Sequence, residues 1–127
     1  MLVVFNATSK RTGTKRASAE FLTNQFGLPE PVPWGPFLAV ELGNEVTLDF
    51  YDDEGERAPQ HYAFLVTEDE FDAVFGRIRA HGLDHWADPG RRRAGELNTH
   101  DGGRGVYFDD PSGHLLEIIT RPYGDQR

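Results

Sequence analysis

The sequence predicts an α+β fold in which one domain, 1–127, is built from two βαβββ modules. Three observations carry this expectation. Two amphipathic helix patterns are each stopped by a glycine, Gly27 and Gly82. Each pattern follows one strand pattern and precedes three more. The last strand of each half also sets a single acid in an apolar run, Asp49 in VTLDF and Glu117 in LLEII. Repetition of element order together with matched acids marks an internal repeat.

The first module covers about 1–55, beginning with the strand 2–6. Its helix, 16–26, places Ala17, Phe21, Leu22 and Phe26 on one face, and Gly27 is a natural stop. The polar, basic segment 8–15 before it reads as a loop or insertion. Strands 31–34, 37–42 and 46–51 follow, the last two joined by a hairpin at Gly43-Asn44. Residues 52–60 link the modules, and the second covers about 60–124. It opens with the strand 61–67. Thr67 and Glu70 then have capping-box spacing, Phe71, Val74, Phe75 and Ile78 form an apolar stripe, and Gly82 ends the helix. Three strand regions are expected after it: 85–88, 97–100 with its neighbours, and 105–108 leading into 114–120. The turn Asp110-Pro111-Ser112-Gly113 divides the last two; Pro111 presets its backbone and Gly113 can take a positive φ.

Composition narrows the function classes. The chain has no Cys, which excludes a disulfide framework, a thiolate nucleophile and a zinc finger. No apolar run reaches membrane-span length, and MLVVFNATSKR lacks the basic-then-apolar order of a signal peptide. A soluble, cytoplasmic protein with no membrane partner is expected. The net charge of −8 argues against nucleic acid and suits a small-molecule, even cationic, ligand.

Two polar residues stand out chemically. Glu117 lies between Leu115-Leu116 and Ile118-Ile119, where a carboxylate is costly to bury without an ion, a cationic ligand or a donor. His61 begins the apolar strand HYAFLV, so it too is expected to be buried. A His and a carboxylate on separate strands are raw material for a metal site.

The segments HYAFLVTEDEFDAVFGRIRAHGL, GGRGVYFDDPSGHLLEIITRPYG and GPFLAVELGNEVTLDFYD resemble the vicinal oxygen chelate superfamily, from Ala17 onward. That superfamily holds glyoxalase I, fosfomycin-resistance enzymes, extradiol dioxygenases and bleomycin-binding proteins. The phrase YF-x-DP-x-GH-x-x-E is among its more specific signatures. The resemblance implies strongly curved sheets around a cup, a homodimer, and metal ligands from the first strand of each module and from the last strand. His61 matches the second of those positions and Glu117 the third. The first strand departs from the pattern: depending on alignment, the position of the expected His is held by Ala7, Val3 or Val4.

Asp49 is the candidate third ligand, and a His, Asp, Glu set suits Fe, Mn, Zn or Ni. By resemblance to fosfomycin-type enzymes, Tyr107 is a substrate contact and a catalytic candidate with Glu117; a strand aromatic with its ring in the core is the other reading of Tyr107. Arg104, beside Gly102-Gly103, is a candidate anion binder, and Trp34 and Phe50 are candidate pocket walls, with core packing as their other and stronger reading. The lysine and cation-binding loop of a true fosfomycin enzyme are not visible. His81, His85, His100, Asp101 and His114 have capping, turn-forming or structural readings. Arg91-Arg92-Arg93 reads as a solvated loop, with collection of an anionic group as the alternative. Two classes stay open: a metal-dependent lyase, isomerase or dioxygenase, and a metal-free ligand-sequestering protein of the bleomycin-resistance type.

Overall fold

The computed structural model describes residues 2–8, 15–43, 46–53 and 61–122, and for 2–8, 51–53 and Asp101 the backbone alone. The elements come in the expected order. The first set is β1 (Leu2–Thr8), α1 (Lys15–Phe26), β2 (Val32–Trp34), β3 (Phe37–Gly43) and β4 (Val46–Asp53). The second is β5 (His61–Leu65), α2 (Glu68–Ala80), β6 (His85–Trp86), β7 (Gly105–Asp109) and β8 (Leu115–Ile119). The sheet orders β1-β4-β3-β2 and β5-β8-β7-β6 repeat one topology. In each, the first strand pairs in parallel with the last, and the other pairs are antiparallel.

Both helices end by the same device. Gly27 and Gly82 take φ of 67° and 66°. Beyond them, the Leu28 N–H donates to Thr23 O at 3.0 Å and the Leu83 N–H to Ile78 O at 3.1 Å. These are the six-to-one bonds of a Schellman stop, which a left-handed glycine permits. At the other end of α2, Thr67 Oγ1 accepts from Glu70 N and Glu70 Oε1 accepts from Thr67 N, completing the capping box.

Phe71, Val74 and Ile78 of α2 are buried as the stripe predicts, each burial contributing roughly 1.5–3 kcal/mol. The buried face of α1 is different from the one expected. Ser18, Ala19, Leu22, Thr23 and Gln25 are buried, whereas Ala17, Phe21 and Phe26 are half-buried. The physical reason is a distant partner. Ser18 Oγ donates to Asp110 Oδ2 at 2.7 Å and lies 2.6 Å from Ser112 Oγ. All three residues are buried.

Two compact units emerge, Met1–Pro59 with Asp110–Gly113, and Gln60–Asp109 with His114–Arg127. The β7–β8 turn therefore belongs to the first unit, held there by Ser18. A second departure concerns 97–100, which is not a strand. Asn98 makes one isolated bridge to Gly105, and a 3-10 turn occupies His100–Gly102. The buried Asn98 side chain instead donates to Ala87 O at 2.8 Å. The segments 9–14, 44–45 and 54–60, which hold most of the expected insertion, the hairpin tip and most of the link, lie outside the described residues.

Replacing Ser18 by Ala removes a donor from a buried carboxylate, so a loss of roughly 1–3 kcal/mol is expected in urea unfolding. Thr67→Ala, which removes only an exposed cap, is expected to cost about 1 kcal/mol.

Candidate functional site

The two central strands position the two acids. Asp49 on β4 is flanked in register by Val4 and Ala39, and Glu117 on β8 by Ala63 and Tyr107. Their neighbours Leu48, Phe50, Leu116 and Ile118 are buried core residues. Alternation therefore puts each acid on the opposite sheet face from those residues. In the first unit α1 packs on β3 and β4. In the second, Phe75 packs edge-on against His85 and Arg104 stacks on Phe71, which puts α2 on the face of Phe108 and Val106.

Glu117 is fully buried, and His61 meets it from β5: imidazole Nε2 lies 2.9 Å from carboxylate Oε1. With the carboxylate accepting, this is a charge-assisted bond that compensates its burial. His61 itself differs from expectation, because its side chain is 46% exposed. It sits at the start of an edge strand, so one flank of the ring is open. Tyr107, almost fully buried, places its ring 5.8 Å from that of His61. His61, Tyr107 and Glu117 thus gather on one face of the second sheet.

The register also locates the missing first-strand histidine. His61 lies opposite Leu115, two residues before Glu117; in the first unit the residue opposite Thr47, two before Asp49, is Leu2. The matching position is therefore Leu2 rather than Ala7, Val3 or Val4.

Other candidates fall elsewhere. Glu117 is paired with His61, as its strand placement suggested, and loop-borne Arg104 lies elsewhere. Arg104 Nε donates to Glu68 Oε1 at 2.9 Å and Nη1 to Asp72 Oδ1 at 2.8 Å, and its guanidinium lies 4.4 Å from the Phe71 ring centroid. Asp72, with Glu68, holds the guanidinium above its usual range against the opposing effect of burial. It is a clamp between β7 and α2, on the face away from Glu117. Phe50 is fully buried on the α1 face, as core, and Trp34 is exposed on edge strand β2. His85 packs on α2, His114 is buried edge-on to Tyr62, and His81 is the helix cap. What sequence reasoning passed over is Trp86, whose register places it beside Tyr107.

The donor chemistry of the His61–Glu117 pair fits a divalent cation that accepts nitrogen and oxygen ligands. Among the described residues no three His, Asp or Glu side chains converge on one point; the second unit brings together two. No helix among the described residues is long and apolar enough to cross a membrane.

Comparison with known proteins agrees with this architecture. The family model of the Glyoxalase/Bleomycin resistance protein/Dioxygenase superfamily matches residues 5–118. A solved structure titled Oxidase ChaP-H1 is 57% identical, with a TM-score of 0.87 and 98% of each chain covered. Oxidase ChaP-H2 is 53% identical, with a TM-score of 0.89, covering 100% of this chain and 98% of its own. The Metallothiol transferase FosB of Shouchella clausii (strain KSM-K16) is 42% identical over 86 residues, 68% of this chain. The match spans about half of that relative's length, 52%.

Coupling between the paired residues is measurable. His61→Ala is expected to lower stability by roughly 1–3 kcal/mol, because a buried carboxylate loses its imidazole donor. In a Glu117→Gln background the same change should cost less, so the double mutant should lose less stability than the sum of the two single changes in a cycle followed by urea unfolding.

Proposed function

We propose a divalent-metal-dependent lyase, isomerase or dioxygenase reaction on a small oxygen-chelating substrate for this chain, which belongs to the glyoxalase/bleomycin resistance/dioxygenase superfamily. The observation that carries the reading is the 2.9 Å pairing of a half-open His61 with a fully buried Glu117 on adjacent strands. Similarity to proteins titled oxidases, across nearly the whole chain, supports it.

His61 and Glu117 would hold the ion, which is Fe, Mn, Zn or Ni by donor type. Asp49 occupies the matching register position in the first unit and is that unit's own candidate donor. When bound, the cation supplies Lewis acidity for two neighbouring substrate oxygens and for developing enolate or oxyanion charge. The remaining work belongs to the chain. Burial keeps water from the Glu117 carboxylate, so its charge acts at low dielectric. Tyr107 lies beside the pair with a phenol that can donate to a substrate oxyanion. A homodimer and a cytoplasmic location are part of the same reading.

A second reading rests on the same bond. The imidazole already compensates the buried carboxylate, and with a net charge of −8 the chain would then sequester a cationic ligand without turnover.

Metal analysis of protein purified without chelator separates them. Near-stoichiometric metal in the wild type, lost in His61→Ala and Glu117→Ala, is the expected result. A wild type without metal that binds cationic aromatic compounds unchanged would establish the second reading and sink the first.

A further inference from the structure

The face that carries Glu117 continues across the second sheet. Ala63 pairs with Glu117, Glu117 with Tyr107, and Tyr107 with Trp86, so these four residues form one row on one face. Asp109, two residues beyond Tyr107, shares that face. Into this row reaches Arg91 from the loop after β6. Its guanidinium carbon lies 5.2 Å from the Trp86 ring centroid, and Nη2 donates to Asp109 Oδ1 at 2.6 Å.

The backbone accepts strain to put Arg91 there. Its φ of 58° is the one positive value outside glycine among the described residues. A side chain persists in that region where its surroundings over-determine it, and such outliers gather at ligand sites. Here the loop is clasped from several sides. The Arg91 N–H donates to Asp88 O at 3.2 Å, and Ala87 N–H donates to Arg93 O at 3.1 Å. The Asp88 carboxylate accepts from Arg93 N at 2.8 Å and Arg92 N at 3.0 Å. Chiefly the Arg93 bond, opposed by partial burial and helped by Arg92, holds the Asp88 carboxyl below the usual aspartate range.

We propose that Trp86 and Arg91 form a substrate-selecting subsite that seats a flat ring system bearing a carboxylate or phenolate oxygen, with its remaining oxygens directed along the row toward His61 and Glu117. This rests on the reading of that pair as the reaction centre. A stacked guanidinium keeps its N–H edges in the plane, where they match a carboxylate two at a time. Asp109 takes one nitrogen and orients the fork, and the Arg91 side chain remains 43% exposed to an incoming ligand. The indole surface that the guanidinium leaves uncovered offers stacking to a ring. Trp86 stands two strand spacings from Glu117, about 10 Å at roughly 4.8 Å per strand. That span suits a carboxylated two-ring system better than a three-carbon metabolite.

Isothermal titration calorimetry with 1-hydroxy-2-naphthoate and the neutral 1-hydroxy-2-naphthamide, on protein as purified, tests the subsite. Arg91→Gly removes the cation and relieves the strained φ, since glycine takes that conformation freely; its thermal midpoint should equal or exceed that of the wild type. The expected result is naphthoate binding weakened tenfold or more in Arg91→Gly, with naphthamide binding changed less than twofold. Trp86→Leu should weaken both probes. Equal loss of the two probes in Arg91→Gly, an unchanged naphthoate affinity, or a wild type that binds neither overturns the proposal. The metal content of the same samples is read separately, so failure of the metal reading shows as empty protein whatever the Arg91 dependence.

Discussion

A carboxylate with no access to water, set on the central strand of a four-stranded sheet, is the constraint around which the second unit is organised. Glu117 has a strand on either side and core residues before and after it, so compensation must come from the one sheet face it occupies. The parallel neighbour β5 answers with His61, and the antiparallel neighbour β7 adds Tyr107. Charge burial is tolerable only with a partner of good geometry. The identity of that partner is what turns a structural problem into a chemical opportunity: imidazole nitrogen and carboxylate oxygen are both donors that divalent cations accept.

Sheet alternation then sorts the remaining residues into two populations. Arg104, Phe50, His85 and the apolar residues of the helices fall on the packing side, where they fasten α1 and α2. Asp49, Glu117, Tyr107, Trp86 and Asp109 fall on the other side. A single-residue shift in register would exchange the two sets. The doubled topology therefore protects the site as much as the core, because each strand's inward and outward residues are specified together.

Local signals made much of this legible. The capping box, the 71–78 stripe and the glycine stops are determined by neighbours within one or two turns, and each appears in the structure. The matched acids gave the pseudo-repeat, and their register bears it out. The buried face of α1 was not legible, because Ser18 is buried for the sake of Asp110 and Ser112, far away in the chain. Nor was the true conformation of 97–100, where one buried Asn98 side chain replaces a ladder with a single bridge. The open flank of His61 depends on which strand ends up at the sheet edge, and that is a tertiary fact. Trp86 carried no motif and Arg91 read only as part of a basic triplet; pairing on β6 and a left-handed backbone bring them to the row.

The ownership of Asp110–Gly113 has a consequence for how the chain is made. Ser18 leaves the ribosome early, yet the residues that satisfy its hydroxyl are 92 and 94 positions further on. The first unit therefore cannot complete its hydrogen bonding while it emerges, however good its own helix and strands. Its last contacts wait until the sheet of the second unit is nearly synthesised, and loop closure over that separation slows the final step. Two modules that look like independent copies are, in the order of their folding, one object finished at a single turn.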